Sequence, residues 1–330
     1  MRAPSYVHGA TDIALLGETI GANLRATVER HPDRDALVVP FQDFRATYGE
    51  FWDLTTRLAR ALLARGISKG DRVGIWAPNR YEWVVVQYAT ARIGAVLVNV
   101  NPAYRAHELE YTLNQSGLRL LLHAGRFRAT DYSAMVDSVR DRCPALTETV
   151  VLDGEWDALL EEAPGVGDAA LAEREAGLSF DDPINIQYTS GTTGAPKGAT
   201  LSHHNILNNG YFCGEILGYT EKDRVLIPVP FYHCFGMVIG NLACTTHGAC
   251  MVAPAESFDP AATLAAIENE RCTSIYGVPT MFIAQLNHAD FARTDFSSLR
   301  TGVMAGSPCP VEVMKQVRER MNVREITICY

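Results

Sequence analysis

Apolar residues along this chain recur at two spacings, and the two spacings alternate. Ile20, Leu24 and Val28 stand four apart, one stripe of an amphipathic helix over 19–31. Residues 36–39 then form a short apolar run that reads as a strand. Phe51, Leu54, Leu58, Ala61 and Leu62 return to helical spacing and stop at Gly66, which suits the left-handed position just past a helix. A strand is predicted over 73–76 and a helix over 82–93. Residues 95–100 are continuously apolar, as in a strand buried on both faces. The alternation goes on with a helix near 108–116, a strand over 118–123, a helix near 132–141 and a strand over 149–152. Ile184, Ile186 and Tyr188 mark another strand, and Ser202 is a suitable N-cap for a helix over about 205–217. A strand over 224–229 follows. Asp259 and Pro260 open a helix carrying Leu264 and Ile267. Strands over 273–276 and 300–304, a helix from Pro310 with Val311, Met314, Val317 and Met321 on one face, and a strand over 325–329 complete the chain. Strands alternating with helices predict an α/β fold, a mostly parallel sheet covered on both sides.

The 330 residues suit about two domains. The net charge is −9, and residues 153–182 alone hold ten acidic side chains against Arg174. The rest of the chain is balanced, so no basic patch argues for nucleic acid. The acidic stretch is expected to be a solvated excursion between two structured parts. Eight cysteines include no C-x-x-C pair and fall largely in apolar surroundings, which suits reduced thiols in a cytoplasmic protein. Cys234, Cys244, His247 and Cys250 are close in sequence but lack paired short spacings, so no metal site is assigned. Residues 225–255 carry no formal charge, yet prolines, glycines, Asn241 and His247 interrupt them, so no transmembrane segment is expected. Met1–Leu24 contains Asp12 and Glu18 and is not read as a signal peptide.

The chemistry concentrates in residues 188–198, Tyr-Thr-Ser-Gly-Thr-Thr-Gly-Ala-Pro-Lys-Gly. Glycines let backbone N–H groups turn toward a ligand, successive N–H groups make a concavity for an anion, and hydroxyls and Lys197 add donors and charge. That composition suits a polyphosphate cradle. The Walker pattern fails, because Pro196 stands where its second glycine belongs. A polar Gly/Ser/Thr loop with no ligand is the plainer alternative.

The string YTSGTTGAPKGATLSHHN closely resembles the signature of the adenylate-forming, or AMP-binding, superfamily. Its continuation GATLSHHNILNN looks most like the medium- and long-chain fatty acyl-CoA synthetases. The resemblance implies the superfamily's large N-terminal domain, with stacked, mostly parallel sheets covered by helices. Its sublobes would be roughly 72–205, and 10–71 plus 206–330. It implies ATP phosphates gripped by Thr189, Ser190, Gly191, Thr192, Thr193, Gly194 and Lys197, with Lys197, Thr192 and His233 in catalytic roles. The block from Pro230 to Gly236 resembles the family's acyl-pocket segment, which places His233, Phe235 and Gly236 at the substrate; a packed histidine is the alternative. Residues 277–280 resemble a block bordering that pocket, which adds Val278, and Met304 is placed there as an apolar neighbour. The turn Ala305, Gly306, Ser307 and Pro308 resembles the one that contacts adenine, and Tyr330 matches the tyrosine that stacks on it. Residues 101–117 resemble a further family block but are read as a turn and helix without a binding role.

By the same resemblance, a small-molecule carboxylic acid would react with ATP to give an acyl-adenylate, and coenzyme A would take the acyl group. The family's Mg²⁺ ligand lies in the motif Tyr-Gly-x-Thr-Glu, of which this chain supplies only Tyr330. We expect a truncated chain, with the small C-terminal domain absent and little catalysis of its own. An aryl-acid or amino-acid adenylating enzyme, and a short nucleotide-binding protein without catalysis, stay open as alternatives. Oligomeric state is not readable from the sequence.

Overall fold

The computed structural model describes residues 13–189 and 196–329. Its first strands are β1 (Asp35–Val39), β2 (Phe44–Thr47), β3 (Arg72–Trp76), β4 (Val96–Asn99) and β5 (Leu120–His123). A short ribbon, β6 (Arg126–Phe127) with β7 (Thr130–Asp131), precedes β8 (Glu148–Val151), β9 (Pro183–Thr189) and β10 (Lys197–Ser202). The chain then forms β11 (Arg224–Leu226), β12 (Cys250–Val252), β13 (Ser274–Gly277), β14 (Thr301–Ala305) and β15 (Glu325–Cys329). One sheet runs β15-β14-β13-β11-β12-β1-β2 and the other β10-β9-β4-β3-β5-β8. The six-stranded sheet takes its strands from 72–202, and the seven-stranded sheet from 35–47 and 224–329. Neighbours in both are parallel except β1 with β2 and β9 with β10.

Helix Tyr81–Ile93 is buried at twelve of its thirteen positions. A helix that is apolar nearly all round must be enclosed on every side. Most of its polar groups are partnered, the buried Trp83 Nε1 being an exception. Tyr88 Oη contacts Asn241 O at 3.1 Å and Thr245 Oγ1 at 2.8 Å, and Gln87 Oε1 accepts from Asn241 Nδ2 at 2.8 Å. One core cluster joins both sheets, from Leu37 and Val73 to Val229 and Val303. A second lies on the other face of the seven-stranded sheet, where Leu226, Val252, Ile275 and Met304 meet Leu264, Ile267, Phe282 and Val317.

Two local expectations change, and one strand without a sequence signal is added. β11 ends at Leu226, short of residue 229, because Pro228 and Pro230 have no N–H for a ladder. Residues after the glycine-rich loop are strand β10, whose polar, exposed sequence gives no period-2 signal. The acidic stretch is folded against the body as helices Leu152–Glu161 and Asp168–Ala176, with Trp156, Leu159, Leu160 and Leu171 buried. Its carboxylates face arginines: Asp153 to Arg80, Glu162 to Arg65, Asp168 to Arg60, and Glu175 to Arg92 and Arg25. Complementary charge, not solvation alone, accounts for the bias.

No helix among the described residues is long and apolar enough to cross a membrane. Among those residues, no group of three or more His, Cys, Asp or Glu side chains is placed to hold a metal ion. Cys244 and Cys250 are fully enclosed thiols, which burial pushes up in pKa.

Candidate active site

Parallel strands leave their carboxyl ends on one rim, and loops there gather ligand-binding groups. At that rim of the seven-stranded sheet lies a cleft of about 750 Å³, within the usual range for small-molecule sites. One wall is the turn after β14, Ala305, Gly306, Ser307 and Pro308, beside the end of β15. Ala305 pairs with Cys329 in the parallel register, so the turn begins beside the end of β15. Gly306 has φ +85°, and a Cβ there would come within 2.9 Å of Val278 Cγ1. A glycine is required by conformation and by space, and the backbone is left open to a flat group.

The second wall is helix His203–Leu217, which presents Asn209, Phe212, Cys213 and Ile216. Its N-cap is Ser202, whose hydroxyl accepts from Asn205 N at 3.3 Å. The floor is His233, Cys234, Phe235 and Ile239. This segment doubles back so tightly at Gly236 that a Cβ would lie 2.5 Å from Pro230 O. It continues as a π-helical turn, Met237–Leu242, a feature concentrated at functional sites. Phe235 stacks on Tyr276 at 5.5 Å, and Tyr276 Oη donates to Ile239 O at 2.7 Å.

His233 caps the turn that begins at Cys234. Its Nδ1 accepts from Phe235 N at 3.1 Å. A ring nitrogen that accepts carries no proton, so Nε2 holds it and the neutral ring is a donor at Nε2. Burial holds the ring's pKa below its ordinary value, which favours this neutral form.

Polar residues of the other sheet hold the floor in place. Asn79, just beyond β3, donates from Nδ2 to Val229 O at 2.9 Å and accepts from Phe231 N at 2.8 Å. Asn99 at the end of β4 donates to Tyr232 O at 3.1 Å, and Asn185 on β9 donates to Asn99 Oδ1 at 2.8 Å. Gln187 on β9 reaches Met237 Sδ at 3.8 Å. β9 therefore ends two residues beyond a side chain that touches the π-helical segment following the cleft's floor. None of these amides was singled out from sequence, although a polar residue inside an apolar strand such as Asn99 is itself a signal.

Thr189 and Lys197 are register partners at the base of the β9–β10 hairpin, and Thr189 Oγ1 donates to Lys197 O at 3.5 Å. Both are exposed, and neither lines the cleft. Ser190, Gly191, Thr192, Thr193 and Gly194, between them, lie outside the described residues, as does Tyr330. His233, Phe235 and the 305–308 turn share the cleft, with Gly236 and Val278 packed just behind its surface. Met304 is corrected. Strand alternation turns it to the opposite face of β14, into the second core, while Val303 and Ala305 face the cleft side.

A smaller cleft of about 430 Å³ lies across the 230–236 segment, lined by Asn101, Tyr104, Arg105, Arg128 and Tyr232. Tyr232 thus faces one cleft and His233 the other.

The profile of the AMP-binding enzyme family matches residues 24–330. The chain belongs to that family. It is 47% identical over 336 residues to a Bacillus subtilis protein named "Putative acyl-CoA synthetase YngI", covering 96% of this chain and 61% of that one. It is 42% identical over 347 residues to the mitochondrial medium-chain acyl-CoA ligase ACSF2 of Danio rerio, covering 99% and 57%. The chain thus spans about three-fifths of the length of these relatives. Among solved structures, the inhibitor-bound N-terminal domain of FACL13 from Mycobacterium tuberculosis superposes with a TM-score of 0.82 at 27% identity, over 94% of this chain and 74% of that one. The anthranilate CoA ligase AuaEII with anthranoyl-AMP, at 24% identity, shares the fold with a TM-score of 0.85 over 98% and 62%.

Proposed function

We propose that this family member binds ATP and a fatty acid, joins them as an acyl-adenylate in the complete protein, and passes the acyl group to coenzyme A. The observation that carries the reading is the cleft itself. It brings apolar residues, Phe212, Ile216, Phe235 and Ile239, together with a backbone turn open at Gly306 and with His233 in one lining. An aliphatic chain suits the apolar residues, and the flat base of a nucleotide suits the turn. The names of the relatives point the same way.

The division of labour follows from the groups present. Ala305–Pro308 would receive the adenine edge, and Gly306 keeps that approach clear. His233 would donate from Nε2 to an oxygen of the bound acid or its adenylate, holding it in line. Such positioning plus electrostatic stabilisation is the expected source of rate in phosphoryl and nucleotidyl transfer. The hydroxyls of 189–193 and Lys197 remain our choice for the phosphates, with Lys197 and Thr192 in catalytic roles and Tyr330 against the base. Mg²⁺ would screen phosphate charge, but no carboxylate lines the cleft among the described residues, and no step is assigned to it. Coenzyme A would approach from the smaller cleft, where Arg105 and Arg128 offer charge to its phosphates and Tyr232 backs onto the His233 segment.

The test is pyrophosphate exchange by the complete protein across a panel of fatty, aromatic and amino acids. Exchange fastest with a fatty acid supports the reading. Preference for an aromatic or amino acid would overturn the substrate assignment, and no exchange with any acid would overturn the activity.

A further inference from the structure

Helix Ala106–Ser116 lies in the stretch that the sequence gave no binding role, yet it reaches the base of the glycine-rich hairpin. Leu109, Thr112 and Leu113 are buried and seat one face of the helix in the body. Its first turn is closed by Glu108 Oε2, which accepts from Arg105 N at 3.0 Å, and its far end by Gly117 at φ +59°. A helix seated and capped in this way is a fixed post.

Two consecutive residues of the post hold the two sides of the β9–β10 hairpin. Tyr111 Oη donates to Pro196 O at 3.1 Å, immediately before Lys197. Thr112 O accepts from Tyr188 Oη at 3.4 Å, immediately before Thr189. Tyr188 is the register partner of Gly198, and a Cβ at Gly198 would come within 3.4 Å of Tyr188 Cζ, so the Tyr188 ring lies against β10.

The tether from Tyr111 acts where the ladder gives no support. Register pairing of β9 with β10 starts at Thr189 and Lys197 and does not include Pro196. Proline has no N–H, so its carbonyl is its only backbone hydrogen-bonding group. β10 is also the edge of its sheet and is exposed from Lys197 to Thr200. The Tyr111 hydroxyl is aimed by a second contact. Gln115 Nε2 donates to Tyr111 Oη at 2.5 Å, so the oxygen accepts there and its single proton is free for Pro196 O. A lysine carries its charge on a flexible four-carbon stem, so the position of its ammonium group depends on where the backbone starts it.

We propose that Tyr111 is a positioning residue for ATP: by fixing the Pro196 carbonyl it sets the backbone from which Lys197 reaches the phosphates. The inference rests on the reading of Thr189 to Lys197 as the phosphate-binding segment and deepens it. It assigns Tyr111 no contact with the nucleotide or the acid.

Steady-state kinetics of the complete protein test it, with Y111F, K197A and the double variant compared with the parent. Phenylalanine keeps the half-buried ring and removes only the hydroxyl. Y111F should raise KM for ATP by about three- to tenfold, the range that one neutral hydrogen bond supports, while KM for the fatty acid and the thermal midpoint stay at the parent's values. Because Tyr111 acts through Lys197, adding Y111F to K197A should raise KM for ATP little further. An unchanged KM for ATP in Y111F, with K197A impaired, would overturn the proposal and leave the phosphate reading standing. K197A with the parent's KM for ATP would overturn both. A Y111F protein whose thermal midpoint falls while both KM values rise together, or effects of Y111F and K197A that multiply in full, would reduce Tyr111 to a stabilising residue and overturn the proposal.

Discussion

Arg92 is a fully enclosed cation at the end of helix Tyr81–Ile93, 2% exposed. Its Nε donates to Glu175 Oε1 at 2.7 Å, and its Nη1 donates to Thr56 Oγ1 at 2.7 Å, Thr55 Oγ1 at 3.0 Å and Trp52 O at 3.3 Å. The guanidinium also sits 3.5 Å from the centroid of the Trp52 ring. Removing one partner of a buried pair costs about 3–5 kcal/mol, because the other charge is left uncompensated. The two partners are not equivalent here. E175A strands Arg92 among neutral acceptors, whereas R92M leaves Glu175 beside Arg25, whose side chain is half exposed, and puts a flexible apolar chain on Trp52. Glu175 is itself 15% exposed, which moves its removal toward the low end of the range, about 3 kcal/mol. R92M should cost about half as much, chiefly the contact with the ring, worth about 1–2 kcal/mol. In the double variant no stranded charge remains, so it should cost less than the two single changes added together. Urea unfolding of the four proteins, compared at constant slope, gives the cycle. Additive losses, or R92M costing more than E175A, would refute the view that a desolvated ion pair fastens the acidic helices to the core.

Further expectations follow from single side chains. His203 is wholly buried, its Nδ1 accepts from Ile20 N at 3.2 Å, and burial lowers its pKa to about 4. The unfolded chain therefore takes up the proton first. Stability from the neutral ring is complete above about pH 6.5 and is lost as the pH falls toward 4, by roughly 3 kcal/mol. An H203N difference in urea midpoint that stayed constant between those limits would contradict this. G236A must force Pro230 O away from 2.5 Å and should cost about 3 kcal/mol. G154A, with nothing within 4 Å of the new methyl, should be neutral or stabilising by up to about 1 kcal/mol; equal thermal shifts for the two would tell against the packing argument. N79A strips partners from Val229 O and Phe231 N and should cost about 2 kcal/mol while weakening binding of a fatty acyl-adenylate analogue. Unchanged affinity in a folded N79A protein would show that Asn79 does not position the cleft's floor.

Much of the architecture could be read from the chain because several levels agreed. Continuous apolar runs such as 95–100 became central parallel strands, and Gly66, Ser202 and Asp259 stand at helix ends where their φ values or capping oxygens are needed. What escaped depends on tertiary partners. β10 is polar because it is an exposed edge strand, held by its ladder with β9 rather than by an apolar face. The acidic helices are stabilised by arginines far away in sequence, which no local pattern reveals. For Met304, apolar character suggested the pocket, but the period of two along β14 sends it to the other core while Ala305 faces the cleft. The amides of Asn79, Asn99 and Gln187 find their partners only when the two sheets are brought together.

A crystal structure of this chain with a non-hydrolysable decanoyl-adenylate analogue addresses the proposed site most directly. The base should lie against Ala305–Pro308, the carbonyl oxygen should accept from His233 Nε2, and the alkyl chain should run between Ile216 and Phe235. An analogue found in the cleft of Arg105 and Arg128 instead, or bound with its base away from Gly306, would contradict the assignment.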